Sequence, residues 1–168
     1  MVMYFNRNIL ENHGFVSPPS TWNEITDMVI EIAELDERGN ILESALAFGE
    51  FMNINHAKDV LSMLFLQSRN PIVGFSSQNG YFGALQSFSG ENIAVNPISQ
   101  ALKFYTDFAD PLNTNYTWNR TLPSARNAFI AGDLAVYFGF TSEIFSLQEQ
   151  NPNLNFDVMS VPQIEGSS

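Results

Sequence analysis

Two histidines, eighteen carboxylates and no cysteine are the reactive side chains this sequence offers. His56 and Asp59 stand one helical turn apart and could present two metal ligands on one face. Two ligands make a weak site, and a solvated helix start accounts for the same pair. Asp107 with Asp110, and Glu34 with Glu37, have the spacing of paired acids but fall on polar helix faces, where carboxylates are ordinarily hydrated. The sequence holds no HExxH, GxSxG, P-loop or GxGxxG pattern. Asn115-Tyr-Thr117 and Asn119-Arg-Thr121 are glycosylation sequons, which matter only in a secreted eukaryotic chain. Nothing among these groups favours catalysis, and neither a metal nor another cofactor is expected.

Aromatic rings are the other chemical resource. Fifteen Phe and five Tyr in 168 residues supply either a large core or faces on which a ligand can stack. The net charge of -11, from 7 basic and 18 acidic residues, repels nucleic acid and anionic lipid, and no basic stripe offsets it. The absence of cysteine excludes disulfides and thiolate metal sites. No run of about 18 apolar residues marks a membrane span, and "MVMYFNRN" lacks the pattern of a signal peptide.

The elements that must carry these rings can be read in order. "VMYFN" (2–6) is a strand, and "RNILENHG" (7–14) a short helical turn closed by Gly14. Thr21-Trp22-Asn23-Glu24 has capping-box spacing, followed by Ile25, Met28, Val29, Ile32 and Ala33 at helical spacing. "ALAFG" (45–49) reads as a buried strand. The next helix has Asn55 as its N-cap and ends at Asn70-Pro71. Residues 72–95 form an irregular excursion with two short strands, rich in Gly, Ser and Asn. Asn96 caps a third long helix with Pro97 in its first position. A loop carrying "YTWN" (116–119) leads to a short helix over 123–131 with Gly132 past its end. "LAVYFGF" is then a strand, "TSEIFSLQEQ" a helix capped by Thr141, and "NFDVMSVP" a last strand. Alternating helices and strands, with helices in the majority, indicate an α/β layer architecture in one domain.

Four of these stretches, in this order, resemble the extracellular solute-binding proteins of ABC importers, in particular the maltose-binding-protein-like carbohydrate family 1. "MYFNRNILENHGF" is similar to the segment entering the family's second lobe. "PPSTWNEI" fits its Pro-Pro-x-Thr-Trp-x-Glu motif, "ARNAFIAGDLAVYFGFTSE" its Phe-x-x-Gly-x-x-Ala signature, and "NFDVMSVPQ" the strand ending in Val-Pro. The resemblance covers nearly the whole chain and implies a single helix-rich lobe of a type II periplasmic-binding-protein-like fold. Residues 1–168 would be the second lobe, with the first lobe and the secretion signal absent.

What the resemblance implies for function is ligand capture between two lobes, with no catalytic step. The ligand would be a small solute, most simply a carbohydrate, delivered to the membrane subunits of an ABC importer. The protein would be a monomer, extracellular or periplasmic, with a lipid anchor open. Phe140 stands where the family's maltose binders place a stacking tryptophan, with Gly139, Thr141 and Ser142 around it. Phe51, Asn53 and Asn55 follow the "ALAFG" strand; Trp118 is expected to be exposed in its loop, and Tyr4 lies near the crossover. Each also has a structural reading: rim packing for Phe140, a helix cap for Asn55, a loop anchor for Trp118. Trp22 and Tyr105 read as core. Three alternatives stay open: a fragment of an α/β carbohydrate-active enzyme, which would need two carboxylates facing across a cleft, a binder of a non-sugar solute, and a soluble interaction domain whose acidic surface only provides solubility.

Overall fold

A computed structural model describes residues 1–68, 72–78, 80–83 and 97–165. In its main sheet β1 (Val2–Asn6) lies between β6 (Leu134–Gly139) and β7 (Phe156–Met159), antiparallel to both. On the other side of β6, and parallel to it, runs β3 (Ile41–Leu46), with the two-residue β2 (Glu34–Leu35) at the edge. The order is β2-β3-β6-β1-β7. A separate hairpin, β4 (Val73–Ser76) and β5 (Gly80–Gly83), matches the two short strands expected in the excursion.

Every residue of β6 is buried, which requires cover on both faces. Strand alternation sorts its rings into two layers. Phe138 packs against Trp22 and Phe48, while Tyr137 stacks on Tyr4 and Phe129. Tyr4 and Tyr137 are direct cross-strand partners, with ring centroids 5.8 Å apart.

The helices are α1 (Arg7–Asn12), α2 (Trp22–Ile32), α3 (Ala57–Gln67), α4 (Pro97–Asp107), α5 (Ala125–Ala131) and α6 (Ile144–Gln150). The capping box of α2 forms: Thr21 Oγ1 accepts from Glu24 N–H, and Glu24 Oε2 accepts from Thr21 N–H. Trp22 is buried, its indole N–H donating to Gln67, so the structural reading of this ring holds. Gly132 ends α5 in the left-handed region at φ 92°, so β6 starts two residues later. Asn96, Asn70 and Pro71 lie outside the described residues.

Several boundaries differ from expectation; β7 covers 156–159 rather than 155–162, and α5 begins at 125 rather than 123. The strand read at 45–49 is β3 at Ile41–Leu46, because ladder pairing stops at Leu46 while Ala47 and Phe48 stay buried beyond it. The helix read from Thr141 opens instead with a 3-10 turn, Thr141–Glu143, before α6.

Candidate ligand-binding edge

One edge of the sheet gathers the residues of interest. Val2 pairs with Gly139 and Met3 with Met159, so the amino end of β1 meets the carboxyl ends of β6 and β7. Parallel β3 points its carboxyl end the same way. Ligands of open α/β sheets bind at the carboxyl ends of parallel strands, where loops rather than helices face the crevice. The loops here are Ala47–His56 after β3 and Phe140–Glu143 after β6.

Phe140 is held by its backbone and presents its ring. Its N–H donates to Glu143 Oε1 at 2.8 Å, and its carbonyl accepts from the Tyr4 hydroxyl at 2.5 Å and from Glu143 N–H at 3.0 Å. The ring stands edge-on to His56, centroids 4.8 Å apart at 79°, and is 39% exposed. Thr141 and Ser142 beside it are exposed and bring two hydroxyls to the same turn. Thr141 does not cap α6 as expected: that helix has no side-chain cap, and the preceding turn is closed by the Glu143 side chain, which accepts from Phe140 N–H.

Gly139 is required by close approach rather than by a turn. A Cβ there would lie 2.7 Å from Glu143 Oε1 and 2.8 Å from the Tyr137 ring. The missing side chain makes room for a carboxylate. Glu143 Oε1 also lies 2.9 Å from His56 Nε2, and its Oε2 accepts from the Tyr137 hydroxyl at 2.8 Å and pairs with Arg126 Nε at 3.5 Å. Burial, and then the charge of Glu143, pushes the Tyr4 phenol up to about 12. Burial first and the hydrogen bond to Glu143 second raise Tyr137 as well. Both phenols therefore keep their protons and act as donors.

The remaining sequence candidates serve the loops from within. Trp118 is fully buried, correcting the exposure expected for it; its indole N–H donates to Asn53 Oδ1 at 3.2 Å. The loop around it folds inward because Thr117 and Trp118 N–H groups both bond to Phe108 O, and Thr117 Oγ1 accepts from Ala45 N–H. Asn53 Nδ2 donates to the carbonyls of Asn119 and Leu122 at 2.8 and 3.1 Å. Asn55 does not cap α3, where His56 holds that position without a side-chain bond. Its Oδ1 instead accepts from Arg126 N–H in the first turn of α5, at 3.1 Å, while Asn53 O takes Ala125 N–H. Tyr4 is buried beneath Phe140, its hydroxyl engaged there. Phe51 is 64% exposed and, with Met52, forms the open part of the β3 loop.

Sequence reasoning set His56 aside with Asp59 as a solvated helix start and passed over Glu143. The Phe140-x-x-Glu143 spacing carried a local signal, since a Glu three residues into a helix start commonly closes back on the chain. His56 had none, because its partner is 87 residues away. Asp59 Oδ2 is 3.9 Å from His56 Nδ1, so the two carboxylates nearest His56 sit at opposite nitrogens of one ring. The imidazole fills the gap between them. Among the described residues no group of three His, Cys, Asp or Glu could hold a metal ion, and no helix is long and apolar enough to cross a membrane. A concavity of about 400 Å³ lies elsewhere, between Trp22, Leu64, Ala101, Phe104 and Ile164.

Comparison with known proteins places the fold. An ABC transporter solute-binding protein from Thermotoga lettingae bound with α-D-tagatose superposes with a TM-score of 0.63 at 19% identity, over 96% of this chain and 38% of that one. CpMnBP1 with mannotriose bound gives 0.63 at 19%, over 99% and 40%. Maltose-bound MalE3 of T. maritima gives 0.64 at 16%, over 99% and 39%. The chain thus spans about two fifths of the length of these structures. No curated protein matches the sequence. The family model for bacterial extracellular solute-binding proteins matches residues 1–167. With that match over nearly its whole length, the chain belongs to the bacterial extracellular solute-binding protein family.

Proposed function

We propose that this chain is the second lobe of an extracellular solute-binding protein that delivers a carbohydrate to an ABC importer. The observation that carries the reading is Phe140: a ring 39% exposed, fixed at both its N–H and its carbonyl, beside the exposed Thr141 and Ser142. An aromatic face packs on the C–H face of a pyranose, and flanking hydroxyls exchange hydrogen bonds with sugar hydroxyls. Phe51 offers a second exposed ring on the neighbouring loop. Gly139, Tyr4, Asn53, Asn55 and Trp118 act in this reading as the frame that holds the two loops. The sugars in the names of the similar structures, tagatose, mannotriose and maltose, set the ligand class to test.

A first lobe would close over this edge by hinge motion, and importer membrane subunits would receive the loaded protein. The narrower assignments are to carbohydrate family 1, a monomer, and a periplasmic or lipid-anchored location outside the cell. The protein has no catalytic step in this reading. An enzyme acting through two carboxylates needs sugar-sized space between them, whereas an imidazole stands between Glu143 and Asp59.

Isothermal titration of the two-lobe protein with tagatose, mannobiose, mannotriose and maltose tests the reading. Phe140→Ala is expected to weaken binding about tenfold or more, as loss of a stacked ring contact removes roughly 1.4 kcal/mol. Unchanged affinity would remove Phe140 from the site.

A further inference from the structure

Behind the Phe140 ring lies a carboxylate, Glu143, both of whose oxygens are engaged within the protein. Four donors converge on Glu143: Phe140 N–H and His56 Nε2 at Oε1, the Tyr137 hydroxyl and Arg126 Nε at Oε2. They come from the turn itself, the β3 loop, β6 and α5. Its side chain is only 16% exposed, and Gly139 leaves the space it occupies. His56, anchored by this carboxylate, makes the T-shaped contact with the Phe140 ring.

We propose that Glu143 is a positioning residue: it locks the orientation of the Phe140 ring and ties the β3 loop to the β6 turn through His56. The consequence for binding rests on the reading of Phe140 as the ligand platform. A ring fixed before the ligand arrives loses less freedom on binding, so affinity gains from preorganisation rather than from an added contact. The chemistry selects a carboxylate. Its two oxygens accept only, whereas the amide of Gln offers one acceptor and turns an N–H₂ group toward a hydroxyl or guanidinium that donates. Asp, one methylene shorter, retracts the oxygens from His56 and Arg126.

The test is a double-mutant cycle read by NMR. In the two-lobe protein the imidazole C–H resonances of His56 and His13 are each assigned by their loss in His56→Gln and His13→Gln, and His13, which pairs with Glu43, serves as an internal reference. Phe140→Ala in the wild-type background removes the ring current at His56 and shifts its resonances. The same substitution in a Glu143→Gln background is expected to produce little further shift, because the ring has already left the imidazole. An equal shift in both backgrounds overturns the positioning role. Measuring the difference cancels the direct effect of Glu143→Gln on His56, and unchanged His13 resonances report an intact fold. Should Glu143→Gln not fold, Tyr137→Phe removes one donor and keeps the ring; a reduced shift supports the role, and an undiminished one overturns it.

Titration with mannotriose separates this inference from the reading beneath it. Weaker binding in both Phe140→Ala and Glu143→Gln supports the two together. If Phe140→Ala weakens binding and Glu143→Gln does not, the preorganising role is overturned and the platform stands. If Phe140→Ala has no effect, or wild type takes up no sugar, the platform falls and the NMR cycle alone decides the positioning role.

Discussion

The loops that follow β3 and β6 leave neighbouring parallel strands at the same edge, yet they are built by opposite means. The β3 loop is long and is held by side chains: Asn53 and Asn55 reach across to the 118–126 segment, bonding Trp118, Asn119, Leu122 and Arg126. The β6 turn is short and is held through its backbone, with both polar groups of Phe140 bonded inward. Polar side chains that do the holding are taken up by it. A backbone that is held leaves its side chain to face outward. The amides and the indole that look suited to a sugar are thus engaged within the protein, whereas Phe140 stays partly exposed.

Substitutions can break this contrast from either side. The largest effect is expected in the frame: Trp118→Ala removes a fully buried indole and should cost about 3–5 kcal/mol in urea unfolding. Asn53→Ala leaves the indole N–H and two carbonyls without their partner and should cost about 1–3 kcal/mol by the same measurement. Gly139→Ala drives a methyl into Glu143 and Tyr137, with an expected cost of about 1–3 kcal/mol and weaker sugar binding in titration. Phe140→Ala should behave in the opposite way, changing stability by less than about 1 kcal/mol while binding falls. If Phe140→Ala proves as destabilising as Trp118→Ala, the distinction between frame and platform is lost.

The smallest effect concerns Glu24, outside both loops. Hydrogen bonds from the Ser20 N–H, then the Ser20 hydroxyl and the Thr21 N–H, hold its carboxyl below the ordinary glutamate range. A pKa lowered on folding contributes stability above the unfolded value and loses it as pH falls through the folded value. The stability difference between wild type and Glu24→Gln, followed by thermal melts, is therefore expected to be present at neutral pH and to vanish on acidification. A difference that grows toward acid would contradict the capping geometry.

How far the chain could be read depended on the sequence distance of each interaction. Thr21 and Glu24 are three residues apart, and their capping box formed as read. Gly132 and the apolar run after it marked the end of α5 and the start of β6. Asn55 was read as a cap and is one, but of α5, 70 residues downstream, because the loop that carries it lies over that helix. Trp118 followed the same logic: its segment is polar and irregular, and only the bonds to Phe108 and Asn53 turn it inward. The His56–Glu143 pair joins two loops whose proximity comes from the parallel pairing of β3 with β6. Local pattern finds the elements, whereas the contacts between loops follow from strand order.

That order has a consequence in time. β1 lies between β6 and β7, so its partners are more than a hundred residues away in the chain, Val2 opposite Gly139 and Met3 opposite Met159. Bringing such distant segments together carries a loop-closure cost before any hydrogen bond forms, and topologies of this kind fold slowly. A ribosome finishes β1 long before either neighbour exists. The strand made earliest in this sheet waits longest for its partners, and until β6 and β7 emerge the growing chain cannot complete the edge that presents Phe140.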